Sequence, residues 1–320
     1  MGLHAMLGIV LGALAALPAA AQDAYPSRAV RFVVPFAAGG PSNIVARVLA
    51  PRMAATLGQP VVVDNRAGAG GVTGVDVVAK AAPDGYTFGS AGALAVSPNL
   101  ARGTPYDPLR DLAPITLAVL VPEPVVVPAA SPFRTMQELV AGARARPGAL
   151  NFGSTGPGSM PHLAAEQLRA TAGIDIVHVS YNSGGQLATA ILRNEVQLGF
   201  ADLPVLLPHI QSGAVRALAV GTPQRLSWLP DVPTMTEVGL PAVDASNWHG
   251  LVAPARMPQG PLDALRRAAT AALQDTEVRR LLDAQGAIPG GNSSEEFGAF
   301  LRSENQKWGE VIRRNNISAD

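Results

Sequence analysis

The chain has 320 residues, of which 48% are hydrophobic and 15% charged, and its 24 basic and 24 acidic side chains give a formal net charge of zero. This composition excludes a disordered protein, and it lacks the basic excess that nucleic-acid binding requires. Because 320 residues exceed what one hydrophobic core usually supports, we expect two lobes of about 120 to 150 residues each.

The first 21 residues predict a signal peptide. An apolar run at 7–17 is followed by Pro18 and by three alanines, Ala19 to Ala21, which form an A-x-A cleavage site. The run is shorter than the roughly 20 apolar residues that a membrane-spanning helix needs. We therefore predict that residues 1–21 are removed on export and that the mature chain begins near Gln22.

The mature chain alternates short β-branched runs with helical patterns, which is typical of strand–helix–strand units on a largely parallel sheet. Two series of such units are separated by a β-rich segment at 115–127, and an apolar run at 248–253 predicts a return to the first series. We therefore predict an α/β fold of two Rossmann-like lobes with a central cleft. Residues 22–122 and 247–320 form lobe 1, and residues 123–246 form lobe 2.

The predicted elements follow one another in a regular order along the chain. Residues 135–138 and 293–296 have the sequence of helix capping boxes, so each predicts the start of a helix. The predicted strands are 30–36, 61–63, 86–90, 150–153, 177–179, 196–200 and 215–220. The other predicted helices are 42–57, 72–80, 161–172, 186–193 and 204–212.

Two glycine-rich loops occupy matching places in the two lobes, at 35–43 and at 153–159. Each follows a predicted strand and opens a predicted helix. Helix N-termini carry unpaired backbone N–H groups and partial positive charge, so both loops are candidate sites for an anion such as a carboxylate. Open sheets bind ligands at the carboxyl ends of their strands, which would place both loops on one cleft. The alternative is that they are only tight strand-to-helix turns.

Short motifs spread in order along the mature chain resemble those of a known family. They are Tyr25-Pro26-Ser27-Arg28, Val33-Val34-Pro35-Phe36, Gly39-Gly40-Pro41, and the segments 65–71 (NRAGAGG), 82–87 (APDGYT), 105–108 (PYDP) and 229–234 (LPDVPT). Together they are similar to the substrate-binding proteins of tripartite tricarboxylate transporters, the Bug proteins, over about the whole mature chain.

The resemblance implies a type II periplasmic-binding-protein fold that closes like a clamshell on a carboxylate held by the two loops and by ordered water. It also implies a location in the periplasm and delivery of the ligand to membrane permease subunits. We expect a monomer that needs no cofactor and binds no nucleic acid. Carried over by position, the ligand-binding residues are Phe36, Ala38, Gly39, Gly40, Ser42, Asn43, Ser90, Ser154, Thr155, Gly156, Gly158, His162, Tyr181, Asn182, Asp202 and Trp248.

Four positions depart from the pattern of this family. Ala37 stands where a proline is common, Asn43 where an aspartate is usual, Asn182 where a lysine is frequent and His249 where Tyr or Phe is usual. Asn43 still has the chemistry to cap a helix, but the expected negative partner for an amino group on the ligand is lost. Asn182 and His249 indicate a polar or aromatic distal end of the site and not a second strong anion site.

Several candidate residues also fit a purely structural role. His162 either lines the cleft or lies partly exposed on its helix, and Asp202 either faces the cleft or caps a helix. Trp248 either stacks on the ligand or packs at the hinge. Of the other histidines, His178 is expected to pack in or near a strand and His209 to lie on the surface.

Enzyme motifs are absent from the sequence, which has no G-x-S-x-G nucleophile elbow, no H-E-x-x-H and no P-loop lysine. The absence of cysteine excludes disulfides, thiolate metal sites and cysteine nucleophiles. Two functions besides transport stay open. One is a sensory protein that presents the bound acid to a membrane partner, and the other is a secreted hydrolase that uses Ser154, His162 and Asp202.

Overall fold

The structure, a computed structural model, describes residues 25–92, 104–315 and 317. The predicted signal peptide at residues 1–21 lies outside the described residues. Within the described ranges, no helix is both long and apolar enough to cross a lipid bilayer. Two β-sheets with helices packed on them form the molecule, which confirms the predicted α/β class.

Strands and helices alternate over most of the chain, as the sequence patterns predict. The bounds of the elements are β1 (Val30–Val34), α1 (Pro41–Leu57), β2 (Val61–Asn65), α2 (Val72–Ala79), β3 (Thr87–Ala91), β4 (Leu112–Pro122), β5 (Pro124–Pro128), α3 (Met136–Ala145), β6 (Asn151–Ser154), α4 (Met160–Ala172), β7 (Val177–Ser180), α5 (Gly184–Leu192), β8 (Leu198–Phe200), α6 (Leu203–Gln211), β9 (Val215–Val220), β10 (Ser246–Pro254), α7 (Gln259–Gln274), α8 (Thr276–Asp283), β11 (Ile288–Pro289) and α9 (Ser294–Arg314).

The two sheets have the strand orders β11-β4-β10-β3-β1-β2 and β7-β6-β8-β5-β9. In the first sheet β1 is parallel to β2 and β3, whereas β10 is antiparallel to β3 and β4. In the second sheet β6 is parallel to β7 and β8, whereas β5 is antiparallel to β8 and β9. The carboxyl ends of the parallel strands in each sheet therefore meet at one edge, which is where such sheets bind ligands.

The chain crosses from one sheet to the other at two neighbouring points. Glu123 separates β4 in the first sheet from β5 in the second, and β10 returns to the first sheet at Ser246. The Glu123 N–H donates a hydrogen bond to Ala245 O at 2.9 Å, so the two crossings lie side by side. The predicted lobe boundaries fall at these crossings. The division into two lobes that move as units stays a prediction.

Local sequence signals explain where several elements begin and end. Thr135 Oγ1 accepts a hydrogen bond from Glu138 N, and Ser293 and Glu296 form a reciprocal capping box, so both predicted helix starts are confirmed. The first strand ends at Val34, earlier than the predicted end at Phe36. Pro35 accounts for the difference, because proline has no N–H to donate to the sheet.

The C-terminal helix α9 is anchored by one buried carboxylate, that of Glu304, which is 3% exposed. Its Oε2 accepts hydrogen bonds from the indole N–H groups of Trp248 and Trp308, both at 2.8 Å. The Lys307 ammonium contacts the other oxygen of Glu304 and lies 2.6 Å from Asp244 Oδ2. Helix α9 thus packs against the first sheet and also reaches a residue next to the second crossing.

The interpretation of Trp248 as a wall that stacks on the ligand does not fit this placement. Trp248 is 1% exposed, and its ring meets Phe297 and Phe300 of α9 edge-on at 6.1 and 5.3 Å. Successive side chains of a strand point to opposite faces, so Asn247 and His249 face away from α9 while Trp248 faces it. Packing at the crossing, the alternative role, is the one that the contacts describe.

Replacing Glu304 by Ala removes the acceptor of two buried indole N–H groups and of the Lys307 ammonium. We expect Glu304→Ala to lower the free energy of unfolding by about 2 to 6 kcal/mol, because two buried indole N–H groups lose their acceptor and each unsatisfied buried donor costs about 1 to 3 kcal/mol. Equilibrium urea unfolding followed by tryptophan fluorescence measures the change.

Glu310→Ala on the same helix is the matched control for this substitution. It removes an exposed ion pair in which Glu310 Oε2 and Arg314 Nη2 are 3.7 Å apart, and such pairs contribute little. The control should keep the unfolding midpoint of the wild type. Equal effects of the two substitutions would contradict the anchoring role of Glu304.

Candidate functional site

A cavity of about 270 Å³ lies between the two sheets and is lined by residues from both. Four helices begin at its wall. Pro41 opens α1, Ser159 precedes α4, Gly184 opens α5 and Asp202 precedes α6. The N-termini of helices from both sides of the molecule therefore converge on one small space.

Three of these helices begin without a side-chain cap. Gly40, Ser159 and Asp202 are the N-cap residues of α1, α4 and α6, and none of them accepts a hydrogen bond from its helix through a side chain. The N–H groups of a first helical turn have no partner within the helix, and the helix dipole places partial positive charge there. The cavity wall is therefore suited to an anion.

Loop one, residues 35–40, is held in place by two amide side chains, the buried Asn43 and the half-buried Asn65. Asn43 Oδ1 accepts the Gly39 N–H at 3.1 Å, and Asn43 Nδ2 donates to Asn65 Oδ1 at 3.0 Å. Asn65 Nδ2 donates in turn to Phe36 O at 2.8 Å, beside the cavity that the Phe36 side chain lines. The role expected of Asn43 as a helix cap is wrong, since the N-cap is Gly40 and Asn43 braces the loop.

Loop two, residues 154–159, is braced by two stacked imidazole rings. Ser154 Oγ accepts the Gly156 N–H at 3.1 Å and is bonded to His178 Nε2 at 2.6 Å. The Gly158 N–H donates to His162 Nδ1 at 2.9 Å, and the His162 and His178 rings stack with centroids 4.0 Å apart. Burial lowers the pKa of His162 to about 4 and also lowers that of His178, so both rings are neutral near pH 7.

These bonds do not assemble the set of residues considered for a hydrolase. Ser154 is fully buried, and its hydroxyl is bonded to His178 and not to His162. The Nδ1 atom of His162 is occupied by a backbone N–H, and Asp202 Oδ1 accepts from Asn247 Nδ2 at 3.3 Å. Ser154 and His162 instead accept backbone N–H groups of loop two and so hold it in its conformation.

One part of the cavity wall carries acidic side chains, in contrast to the partial positive charge of the helix N-termini. Glu123 and Asp202 both line it, and Asn247 lies beside them. Glu123 is 0% exposed, and within the described ranges no N–H or hydroxyl group donates to either of its carboxylate oxygens. Burial and the neighbouring Asp202 carboxyl raise the pKa of Glu123 well above its usual range. Burial also raises the pKa of Asp202, against the hydrogen bonds from Asn247 and Glu123.

His249 adds a second unsatisfied polar group to this wall. Its Nδ1 is bonded to Ser42 Oγ at 3.0 Å, whereas its Nε2 has no partner among the described residues. His249 lines the cavity and is 5% exposed. Burial lowers its pKa to about 4, so the ring is neutral near pH 7. His249, which stands where Tyr or Phe is usual in the family, therefore gives the cavity a polar nitrogen.

Three of the predicted ligand-binding residues, Phe36, Thr155 and Asp202, line the cavity directly. A second cavity of about 250 Å³ shares Asp202 with the first and is lined by Gly39. The remaining predicted residues fall into three groups. Those in the loops are Ala38, Gly40, Gly156 and Gly158. Those that support the wall through hydrogen bonds behind it are Ser42, Asn43, Ser154 and His162, and those outside the lining are Ser90, Tyr181, Asn182 and Trp248.

Sequence reasoning missed Glu123 and Asn247. Glu123 is the one charged residue in the apolar segment 119–127 and stands between two prolines, which is a signal that marks it. A lone carboxylate in a buried run is costly unless it has a role. Across residues 25–92, 104–315 and 317, no group of three or more His, Asp or Glu side chains is placed to hold a metal ion.

The fold and the interlobe cavity define a two-lobed α/β binding protein. Residues 45–317 match the family described as "Tripartite tricarboxylate transporter family receptor". The chain belongs to this family, which confirms the resemblance carried by its motifs.

Individual relatives agree with this assignment over nearly the full length. Protein BugT of Bordetella pertussis is 37% identical over 314 residues, which cover 97% of this chain and 96% of BugT. The solved structure of the periplasmic binding protein BugD is 32% identical with a TM-score of 0.76, covering 92% of this chain and 99% of BugD. A structure from R. palustris with adipate is 31% identical with a TM-score of 0.79, covering 92% and 99%. These matches confirm the type II periplasmic-binding-protein fold.

The buried ring of His249 predicts a dependence of stability on pH. Its pKa of about 4 lies below the value of about 6.5 in an unfolded chain, so the unfolded state binds the proton more readily. The contribution is complete above about pH 6.5 and is lost as the pH falls toward about 4. We expect His249→Gln to reduce the acid-induced loss of stability by about 1 to 3 kcal/mol, measured by urea unfolding between about pH 7 and pH 4.5.

The control is His209→Gln, because His209 lies half-buried on α6 and does not line the cavity. This variant should keep the pH slope of the wild type. If His249→Gln also keeps that slope, the burial of a neutral His249 is contradicted.

Proposed function

We propose that this chain is an extracytoplasmic solute-binding protein that captures a small organic carboxylate in the interlobe cavity. The carboxylate is bound by backbone N–H groups of loops one and two other than those of Gly39, Gly156 and Gly158, which already donate to side chains of the protein. The protein then delivers the ligand to the permease subunits of a tripartite tricarboxylate transporter. The observation that carries the proposal is the convergence of four helix N-termini on one cavity between the sheets.

The size of the cavity and the energy of its contacts support a small ligand. Its volume of about 270 Å³ lies just below the range of roughly 300 to 1,000 Å³ for ligand pockets. A hydrogen bond to a charged group contributes about 1.5 to 3 kcal/mol, so three or four of them give roughly 5 to 12 kcal/mol before losses. After the entropy of binding is subtracted, we expect a Kd on the order of micromolar.

The location and partners belong to the same proposal. The apolar run at 7–17 with its A-x-A site supports export, and the likeness to the periplasmic protein BugD supports a periplasmic location. The R. palustris structure with adipate supports a carboxylate ligand. In this proposal the residues before about 123 and after about 246 form one lobe of a monomer, and the residues between them form the other.

Replacing a loop glycine by valine tests whether the loops bind the carboxylate. Gly39 and Gly156 have φ angles of +88° and +124°, which β-branched residues rarely adopt, so Gly39→Val and Gly156→Val displace the N–H groups of each loop. We expect each variant to lose at least about tenfold in affinity for the carboxylate that the wild type binds. Calorimetric titration with a panel of mono- and dicarboxylates measures the loss.

Gly213→Val is the matched control, because Gly213 also has a positive φ of +73° with open space around it but lies at the end of α6 away from the cavity lining. It should bind carboxylates as the wild type does. If both loop variants bind with unchanged affinity, the proposed site is wrong even if the protein binds carboxylates elsewhere.

A further inference from the structure

The cavity has two walls with opposite preferences for charge. The helix N-termini provide partial positive charge at the loops, whereas Glu123 at the first crossing and Asp202 at the start of α6 provide carboxyl groups. A ligand that carried only carboxylates would gain at the first wall and be repelled at the second. The acidic wall is therefore a feature that carboxylate binding alone does not explain.

The two carboxyls lie within hydrogen-bonding reach of one another, and both have raised pKa values. Adjacent buried carboxyls cannot both ionise readily, so near neutral pH they share one proton and carry about one negative charge as a pair. The nearby side chains do not neutralise this charge, since Asn247 is uncharged and the buried His249 is a neutral ring.

The same wall holds polar atoms that are left without partners. Apart from the proton shared with Asp202, neither carboxylate oxygen of Glu123 receives an N–H or hydroxyl donor from the described residues. His249 Nε2 has no partner among them either, although this residue is only 5% exposed. Buried polar groups in native proteins are normally bonded, so groups that line a cavity and lack donors await one from a bound molecule. What the wall lacks is a group that donates several hydrogen bonds and carries positive charge.

We propose that the ligand is a zwitterionic amino acid, whose carboxylate is held at the helix N-termini and whose ammonium group is bound by Glu123 and Asp202 with His249 alongside. This inference rests on the proposed function and names the class of acid that the cavity selects. An ammonium group has three donors and one positive charge, which match the oxygens of the pair. Asn43 does not take this role, because its side chain is uncharged and its Oδ1 already accepts from Gly39 N and Arg47 Nε.

The test compares matched ligands that differ only by an amino group. The pairs are succinate and aspartate, glutarate and glutamate, propionate and alanine, and phenylpropionate and phenylalanine. We expect the wild type to bind the amino member of at least one pair about tenfold or more tightly than its partner, since charged hydrogen bonds are involved. Calorimetric titration at neutral pH measures each pair.

The variant for this test carries both Glu123→Gln and Asp202→Asn, because either carboxyl alone would keep the negative charge. We expect the double variant to bind the two members of the pair within about threefold of each other, with affinity for the unaminated acid kept or increased. Thermal unfolding establishes that the variant is folded. Glu166→Gln is the matched control, since this glutamate is 5% exposed but does not line the cavity, and it should keep the preference of the wild type.

The outcomes separate this inference from the proposed function. Wild-type protein that binds the unaminated acids as tightly as the amino acids would overturn the inference and leave carboxylate binding intact. A preference for the amino acid that survives in the double variant would show that another group binds the ammonium, and it would also overturn the inference. If no member of any pair binds, both the inference and the proposed function fail.

Discussion

The chain passes between its two sheets twice, at Glu123 and at Ser246, and the hydrogen bond from Glu123 N to Ala245 O joins the two passages at 2.9 Å. This constraint fixes how the two halves face each other. Because the crossings are adjacent, the carboxyl ends of both sets of parallel strands open onto one space, and the helices that follow those strands begin there. The charge of the cavity walls follows from the same arrangement. Main-chain N–H groups come from the helix starts, whereas the acidic side chains are Glu123 at the first crossing and Asp202 at the start of α6.

Local patterns were sufficient to predict much of this architecture. Alternation of β-branched runs with helical stripes gave the α/β class, and the capping boxes at Thr135 and Ser293 gave two helix starts, because these signals depend on residues close together in sequence. The acidic wall depends instead on a contact between residues far apart along the chain. Glu123 and Asp202 become neighbours only because the start of β5 and the start of α6 meet at the cavity. No periodic pattern in the sequence predicts this contact.

The candidate site was predicted at the level of its loops and less well at the level of single side chains. Asn43, Ser154 and His162 are polar residues beside glycine loops, as ligand contacts would be, yet they bond to the backbone of the loops. The sequence cannot separate these roles, because a residue that binds a ligand and a residue that holds a loop need the same hydrogen-bonding chemistry at nearly the same position. The role of Trp248 follows from a simpler rule, because successive side chains of a strand point to opposite faces. Asn247 and His249 line the cavity, so Trp248 between them points away from it.

Amide and imidazole side chains hold the loops in place. In the proposed function, the groups that bind the anion belong to the main chain. Every amino acid except proline supplies the same N–H, so in this proposal only the loop positions with positive φ, such as Gly39 and Gly156, are restricted in residue type. The identity of the acid would then depend on side chains that line the cavity without forming the loops, such as Glu123, Asn247 and His249. A scaffold of this kind can diversify widely without rebuilding its anchor for the acid.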